Sequence, residues 1–400
     1  MSSHDGWTQR NEGIDMEAAA TANPSSVART WASHLLCFVL PVTTLAFAAT
    51  GPHIWWQAPL FLLPLLASVV IDMTSRPEHR QPDPNLPPAP FDAILYVLVA
   101  LQVVNILLTA RMISQAGLFT LDTPVAMLLV GVNSGYSAIV VGHELIHRAS
   151  PFMQMLGRLL MVTTMYEHFC TEHVRGHHAR VGTDADPATA RFGESFHRFF
   201  HRTVPAQFLS AWDIENRRLA DHRGLALWRR HRVVQGKIAE WGLAAAILLV
   251  FGPAAFIVHL GQAFHAIAAL EAVNYFEHWG LRRTSRKVRP MDSWDTDSRF
   301  TLYTLVGLSR HADHHAYAAR PYQQLRHWEE SAKLPFGYFG MVLLVWTRNE
   351  LVRRMLTAEL RRRKMGPFAQ IAVAPEEPVP ASQFPVHAGF GAAVEAGAPA

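Results

Sequence analysis

The segment "TPVAMLLVGVNSGYSAIVVGHELIHRAS", residues 123–150, decides how this chain must fold. Residues 123–142 carry no charged side chain and match the length of about 20 residues that a helix needs to cross a bilayer. The run ends directly on His-Glu-x-x-His, whose i, i+4 spacing stacks His143 and His147 on one helix face, about 6 Å apart along the axis. A lipid-compatible helix that delivers two imidazoles at its end offers two ligands for a metal at a membrane boundary, a pair that counts as a site only if further ligands join it.

Similar apolar runs occupy 31–50, 53–73, 91–113, 238–260 and 261–280, which with 123–142 makes six expected spans. The chain is 50% hydrophobic and 17% charged, below the roughly 25% of soluble domains. An all-α polytopic membrane protein is therefore expected, with a cytoplasmic histidine-rich helical cap. If the amino terminus is cytoplasmic, 35 of the 36 Lys and Arg residues fall in segments on that side, and only Arg111 lies near an outer end. This asymmetry puts both termini in the cytoplasm, predicts insertion in the inner membrane, and assigns the positive charge to lipid contact rather than nucleic acid. Polar residues 1–30 and the Pro/Ala/Gly-rich stretch 366–400 read as disordered tails around a membrane-embedded domain at 31–365. Segment 151–166 is too short to span and reads as a re-entrant or interfacial helix.

Of 22 histidines, seventeen lie between His143 and His327. "EHVRGHH" supplies His173, His177 and His178, "NYFEHWG" supplies His278, and "RHADHH" supplies His311, His314 and His315. In RHADHH the i, i+3, i+4 spacing gathers three imidazoles in one sector of a helix. EHVRGHH repeats the i, i+4 step, with Gly176 weakening the helix between. With the first pair these make nine candidate ligands, too many for one tetrahedral zinc, so two metals are expected. Glu144, Glu172, Glu277 and Asp313 adjoin candidate ligands. They are placed either to accept the second N–H of a metal-bound imidazole or to bind Arg175 or Arg310. The remaining histidines, among them His168 and His231, read as surface or cap residues. Glu271, one turn-pair before His278, is either functional or bonded to a neighbouring helix. Trp55, Trp56 and Phe61 are candidates to shape a path from the bilayer. Two cysteines, Cys37 and Cys170, with no CxxC pairing leave no framework for an iron–sulfur cluster within the chain. Two other classes compete: an intramembrane zinc peptidase, which leaves most histidines unexplained, and a metal transporter, whose ligands belong nearer mid-membrane.

The order of these clusters, with "DPATARFGES" (186–195) and "HADHHAYAARPYQQLR" (311–326), resembles the membrane-bound alkane and xylene monooxygenases. More broadly it is similar to the membrane fatty-acid desaturase and hydroxylase superfamily. The likeness runs from about Trp31 to about Tyr338, with Ile146 where the family more often has Gly and Trp279 where Tyr is commoner. The resemblance implies two non-haem irons on His143, His147, His173, His177, His178, His278, His311, His314 and His315. It implies dioxygen as co-substrate, and a rubredoxin or ferredoxin with its reductase as electron source. The activity it implies is hydroxylation at a terminal alkane carbon, or alternatively hydroxylation or desaturation of fatty acyl or aryl-methyl groups.

Overall fold

The computed structural model describes residues 23–369. The expected tails therefore lie outside it except where they meet the folded part. There the first helix, α1 (Pro24–Thr50), begins inside the stretch read as a tail. Asn23 caps it by accepting the Ser25 N–H at 3.0 Å, and Pro24 occupies its first position, where a missing N–H costs nothing.

Among the described residues, five helices are long and apolar enough to cross a membrane: α1, α3 (Pro88–Ala116), α4 (Asp122–Ile146), α9 (Arg232–Phe251) and α10 (Pro253–His278). They make this a multi-pass membrane protein. Between α1 and α3 lies α2 (Ala58–Met73), which is shorter than a full crossing because residues 51–57 form a turn rather than helix. Its C-terminal end is tied down by Asp72, whose carboxylate accepts the hydroxyls of Ser298 (2.7 Å) and Thr301 (2.6 Å) and the N–H of Gly340 (3.2 Å). The second hairpin turns at Gly252, not between residues 260 and 261 as the apolar runs suggested. Gly252 takes φ +87° and Pro253 opens α10, so one helix stops and the next starts there. Gly261 stays inside α10, packed against Met127.

Between the spans run α5 (Pro151–Thr163), a helix over 169–180 (α6), α7 (Phe196–Arg218) and α8 (Gly224–Arg230). The α5 helix starts at the Ser150 cap and turns Phe152, Met155 and Leu159 outward, as an interfacial helix does. After α10 come α11 (Arg299–Thr304), α12 (His311–Ala316), α13 (Tyr338–Thr347) and α14 (Asn349–Arg363). A two-residue parallel pair, β1 (Trp294–Asp295) with β2 (Ala332–Lys333), is the sheet found among the described residues. Trp294 is fully buried and its indole donates to the Trp279 carbonyl at 2.9 Å, anchoring this cap to the end of α10.

The two long helices that end on candidate histidines, α4 and α10, approach through small residues. A Cβ on Gly131 would meet His265 Cβ at 2.5 Å and the Gln262 carbonyl at 2.9 Å, and one on Gly135 would meet Ala269 Cβ at 3.2 Å. This Gly-x-x-x-Gly contact replaces hydrophobic drive, which lipid does not supply between helices. Gly131→Val is expected to destabilise the protein by about 1–3 kcal/mol through overpacking, read as a lowered thermal midpoint in detergent.

Candidate metal centre

All nine candidate histidines converge, and they do so as two groups. Ligand atoms of His143, His147, His173, His178 and His314 lie within 4.8 Å of one another, as do those of His177, His278 and His315. His311 joins the second group, its Nε2 standing 3.2 Å from His278 Nε2. The groups touch: the His178 and His315 rings stack with centroids 4.4 Å apart.

Local backbone explains this sorting. The HELIH pair is α-helical and both members enter the first group, as the i, i+4 spacing predicts. The EHVRGHH step does not run that way. Residues His173–His177 form a π-helical turn, and the His178 N–H bonds the His173 carbonyl five residues back. The pair that meets is thus His173 and His178, with Nε2 atoms 3.0 Å apart, while His177 is turned to the second group. Gly176 makes room for this turn, since a Cβ there would lie 2.6 Å from Glu172 Oε1. A second π-helical stretch, Ser134–Val140, precedes HELIH; such turns recur at functional sites. The histidines of α12 divide too. His311 and His315 share a face towards the second group, and His314 points to the first, with its Nε2 3.2 Å from His178 Nε2.

These side chains suit a metal. The Nε2 atoms of His143 and His147 are buried with no hydrogen-bond partner among the described residues. Outside the spans, burial and neighbouring imidazoles keep His173, His178, His311, His314 and His315 well below the usual histidine range, hence neutral with a lone pair to offer. Lone pairs facing one another at 3.0–3.3 Å repel unless a proton or cation lies between them.

Three of the four acids are arranged differently from expectation. Glu144, Glu172 and Asp313 bond arginines, though not Arg175 or Arg310. Glu144 accepts from Arg148 (2.8 Å), one helical turn away, and from the Tyr322 N–H (3.2 Å). Glu172 accepts from Arg180 (2.9 Å) and Ser210 (3.3 Å). Asp313 accepts from Arg320 (2.7 Å), the Arg326 N–H (2.9 Å) and the Trp328 indole (2.7 Å). Among the described residues, the carboxylates that reach candidate imidazoles are Asp186, 2.9 Å from His177 Nδ1, and Glu277, 3.3 Å from His311 Nε2. Glu277 also accepts the Tyr338 hydroxyl at 2.6 Å. Asp186 was missed because a loop, not a helical period, brings it back to His177. Burial opposes its charge, yet the His177 ring and the Thr189 hydroxyl hold the carboxyl below its ordinary range.

His168 and His231 are buried, not on the surface: His168 packs between Tyr166 and Phe208, and His231 against Trp212. Glu271 accepts from Tyr166 (3.0 Å) and Gln207 (2.9 Å), so it bonds neighbouring elements.

An apolar cavity of about 310 Å³ runs between α2, α4, α10 and α13 and ends on His143, His173, His311 and Glu277. Leu65, Val132, Ile139, Leu270 and Trp346 are among its walls. Trp55 and Trp56 do not line it. They sit on the turn before α2 and are 75% and 48% exposed, while Phe61 packs on Phe47 and His53.

A membrane bundle gathering histidines of four separate segments beside an apolar cavity defines a class, and residues 121–343 match the family model described as fatty acid desaturase. Alkane 1-monooxygenase 1 of Pseudomonas aeruginosa is 34% identical over 333 residues, 78% of this chain and 86% of that one. The alkane 1-monooxygenase of Ectopseudomonas oleovorans is 32% identical over 309 residues, 74% of this chain and 75% of that one. The xylene/toluene monooxygenase hydroxylase component of Pseudomonas putida is 23% identical over 219 residues, 53% and 59% of the two chains. The chain therefore belongs to the alkane 1-monooxygenase family and is a monooxygenase, an oxidoreductase.

Proposed function

We propose that this protein is a six-span, non-haem di-iron monooxygenase of the inner membrane that hydroxylates the terminal carbon of alkanes or related hydrocarbons. The observation that carries the reading is the apolar cavity closing on two abutting histidine groups. Five imidazoles in the first group exceed what tetrahedral zinc accepts, which favours a metal of higher coordination number. Two irons held by His143, His147, His173, His178 and His314 and by His177, His278, His311 and His315 would supply the dioxygen chemistry needed to cleave an unactivated C–H bond, which no side chain can.

The chain's own residues bind, aim and exclude. The cavity walls strip water from a hydrocarbon and direct its end at the face formed by His143, His173 and His311. None of the lining residues is a lysine or arginine that could hold a carboxylate, which supports a neutral hydrocarbon over a fatty acid. Tyr338 and Glu277 form the polar end of that space, the tyrosine O–H fixing the carboxyl beside His311. The charge asymmetry supports a cytoplasmic metal site. The basic residues on that side suit an acidic electron carrier, a rubredoxin or ferredoxin served by its reductase.

Metal analysis and turnover test this together. Two irons per chain and conversion of octane to 1-octanol, with rubredoxin and its reductase supplied, are the expected results. A single zinc per chain would sink the di-iron reading. Palmitate desaturated or xylene hydroxylated in preference to octane would move the protein to the fatty acyl or aryl-methyl alternative.

A further inference from the structure

Away from the nine-histidine centre, His79, Asp297 and His327 bring ligand atoms within 4.8 Å of one another on the protein surface. His79 Nε2 lies 3.0 Å from one Asp297 oxygen and His327 Nε2 lies 3.0 Å from the other, with the two rings stacked at a centroid distance of 4.6 Å. The geometry points to a peripheral site for a borderline divalent transition cation, of which zinc is the natural probe. Two imidazoles and one carboxylate are a donor set that such ions favour, and three protein ligands leave a fourth position for water.

The site is built by backbone, not by chance proximity of mobile side chains. Residues 76–78 pair with 297–299: Glu78 N–H donates to the Asp297 carbonyl (2.8 Å), Arg299 N–H donates to the Arg76 carbonyl (3.0 Å), and Pro77 bridges Ser298. The Gln81 side chain clasps His327, donating to its carbonyl at 2.8 Å and accepting its N–H at 3.1 Å. Ligands from three distant parts of the sequence are thus held before any ion arrives, which limits the ordering cost of binding. Access is open, with the side chains of His79, Asp297 and His327 55%, 24% and 10% exposed.

Lys333 marks where positive charge belongs. Its ammonium donates to Asp295 (2.7 Å) and the Trp328 carbonyl (2.7 Å), stands 3.1 Å from Asp297, and lies 3.3 Å from His327 Nε2. His327 Nε2 cannot both donate to Asp297 and accept from Lys333. A cation bonded to that nitrogen removes the conflict, and Lys333 keeps its two shorter contacts when it withdraws. Ammonium and metal are therefore competitors for the same carboxylate.

The test is zinc titration of the purified metal-loaded enzyme, with every metal counted after free ions are removed. One zinc gained per chain without loss of resident metal is expected, with affinity lowered about 100-fold by His79→Ala or His327→Ala. Lys333→Met is expected to tighten zinc, a change that a purely hydrogen-bonded cluster would not show. Unchanged resident metal in the exposed His79→Ala variant reports that the fold is intact. Absence of extra zinc, zinc gained only as resident metal leaves, or zinc bound by both histidine variants as tightly as by the parent (as at the exposed His197–His201 pair) overturns the assignment.

Discussion

His314→Ala and His315→Ala, one residue apart, are expected to abolish hydroxylation by emptying different metal positions. His314 belongs to the five-imidazole group and His315 to the neighbouring one, because a one-residue step along α12 turns the side chain by about 100°. Apparent metal-binding energies of about 10–16 kcal/mol over four ligands make each ligand worth about 3 kcal/mol, about 100-fold in affinity. Each variant should therefore retain close to one metal per chain at metal concentrations that fill both positions in the parent. Turnover of octane should fall to background in both, since the cavity ends on residues of both groups, His143 and His173 of one and His311 of the other. Metal analysis with turnover on the same samples checks this. Loss of both metals from His314→Ala with none lost from His315→Ala would contradict two separable positions. Loss of both from each variant would mean that the groups fill only as a unit.

The separation into two groups was not legible in the sequence, although the nine histidines that converge were. Apolar length exposed the long helices, since a chain crossing the bilayer finds no water for its backbone and must bond internally. Period 3.6 correctly paired His143 with His147, where the backbone is α-helical. It mispaired His173 with His177, because the π turn at His173–His177 adds one residue to the repeat; Gly176 marks where the helix weakens but not which way the repeat changes. Asp186 carries no periodic relation to His177 at all; only the loop fold brings the two together. The cavity wall was misassigned for a related reason. Trp55 and Trp56 are conspicuous in sequence yet lie on an exposed turn, whereas Leu65, Leu270 and Trp346 are ordinary members of three separate helices that only packing unites. Glu144, Glu172 and Asp313 adjoin ligands in sequence. A helix sends adjacent side chains apart, so their carboxylates found arginines instead.

Asp186→Asn tests whether a residue outside the ligand set fixes the second metal position. The Asp186 carboxylate accepts His177 Nδ1–H at 2.9 Å and is itself held by the Thr189 hydroxyl at 2.6 Å. With the proton kept on Nδ1, Nε2 is left bare, and it faces His315 Nε2 at 3.3 Å within the second group. Asparagine is nearly the same shape but can turn its NH₂ towards the ring. His177 Nδ1 then becomes the acceptor and Nε2 carries the proton, which removes it as a ligand. Outer partners of this kind are worth about 10–100-fold in metal affinity or activity, so kcat is expected to drop by that factor. The half-saturating octane concentration should stay near the parent value, because Asp186 is not among the cavity walls. Metal should be lost from the position shared with His278 and His315 while the five-histidine position stays filled. Asp186→Glu keeps the acceptor on a longer arm and should recover part of the loss. A purely packing role for Asp186 predicts no such recovery, and lowers the thermal midpoint in both variants without favouring one metal position over the other.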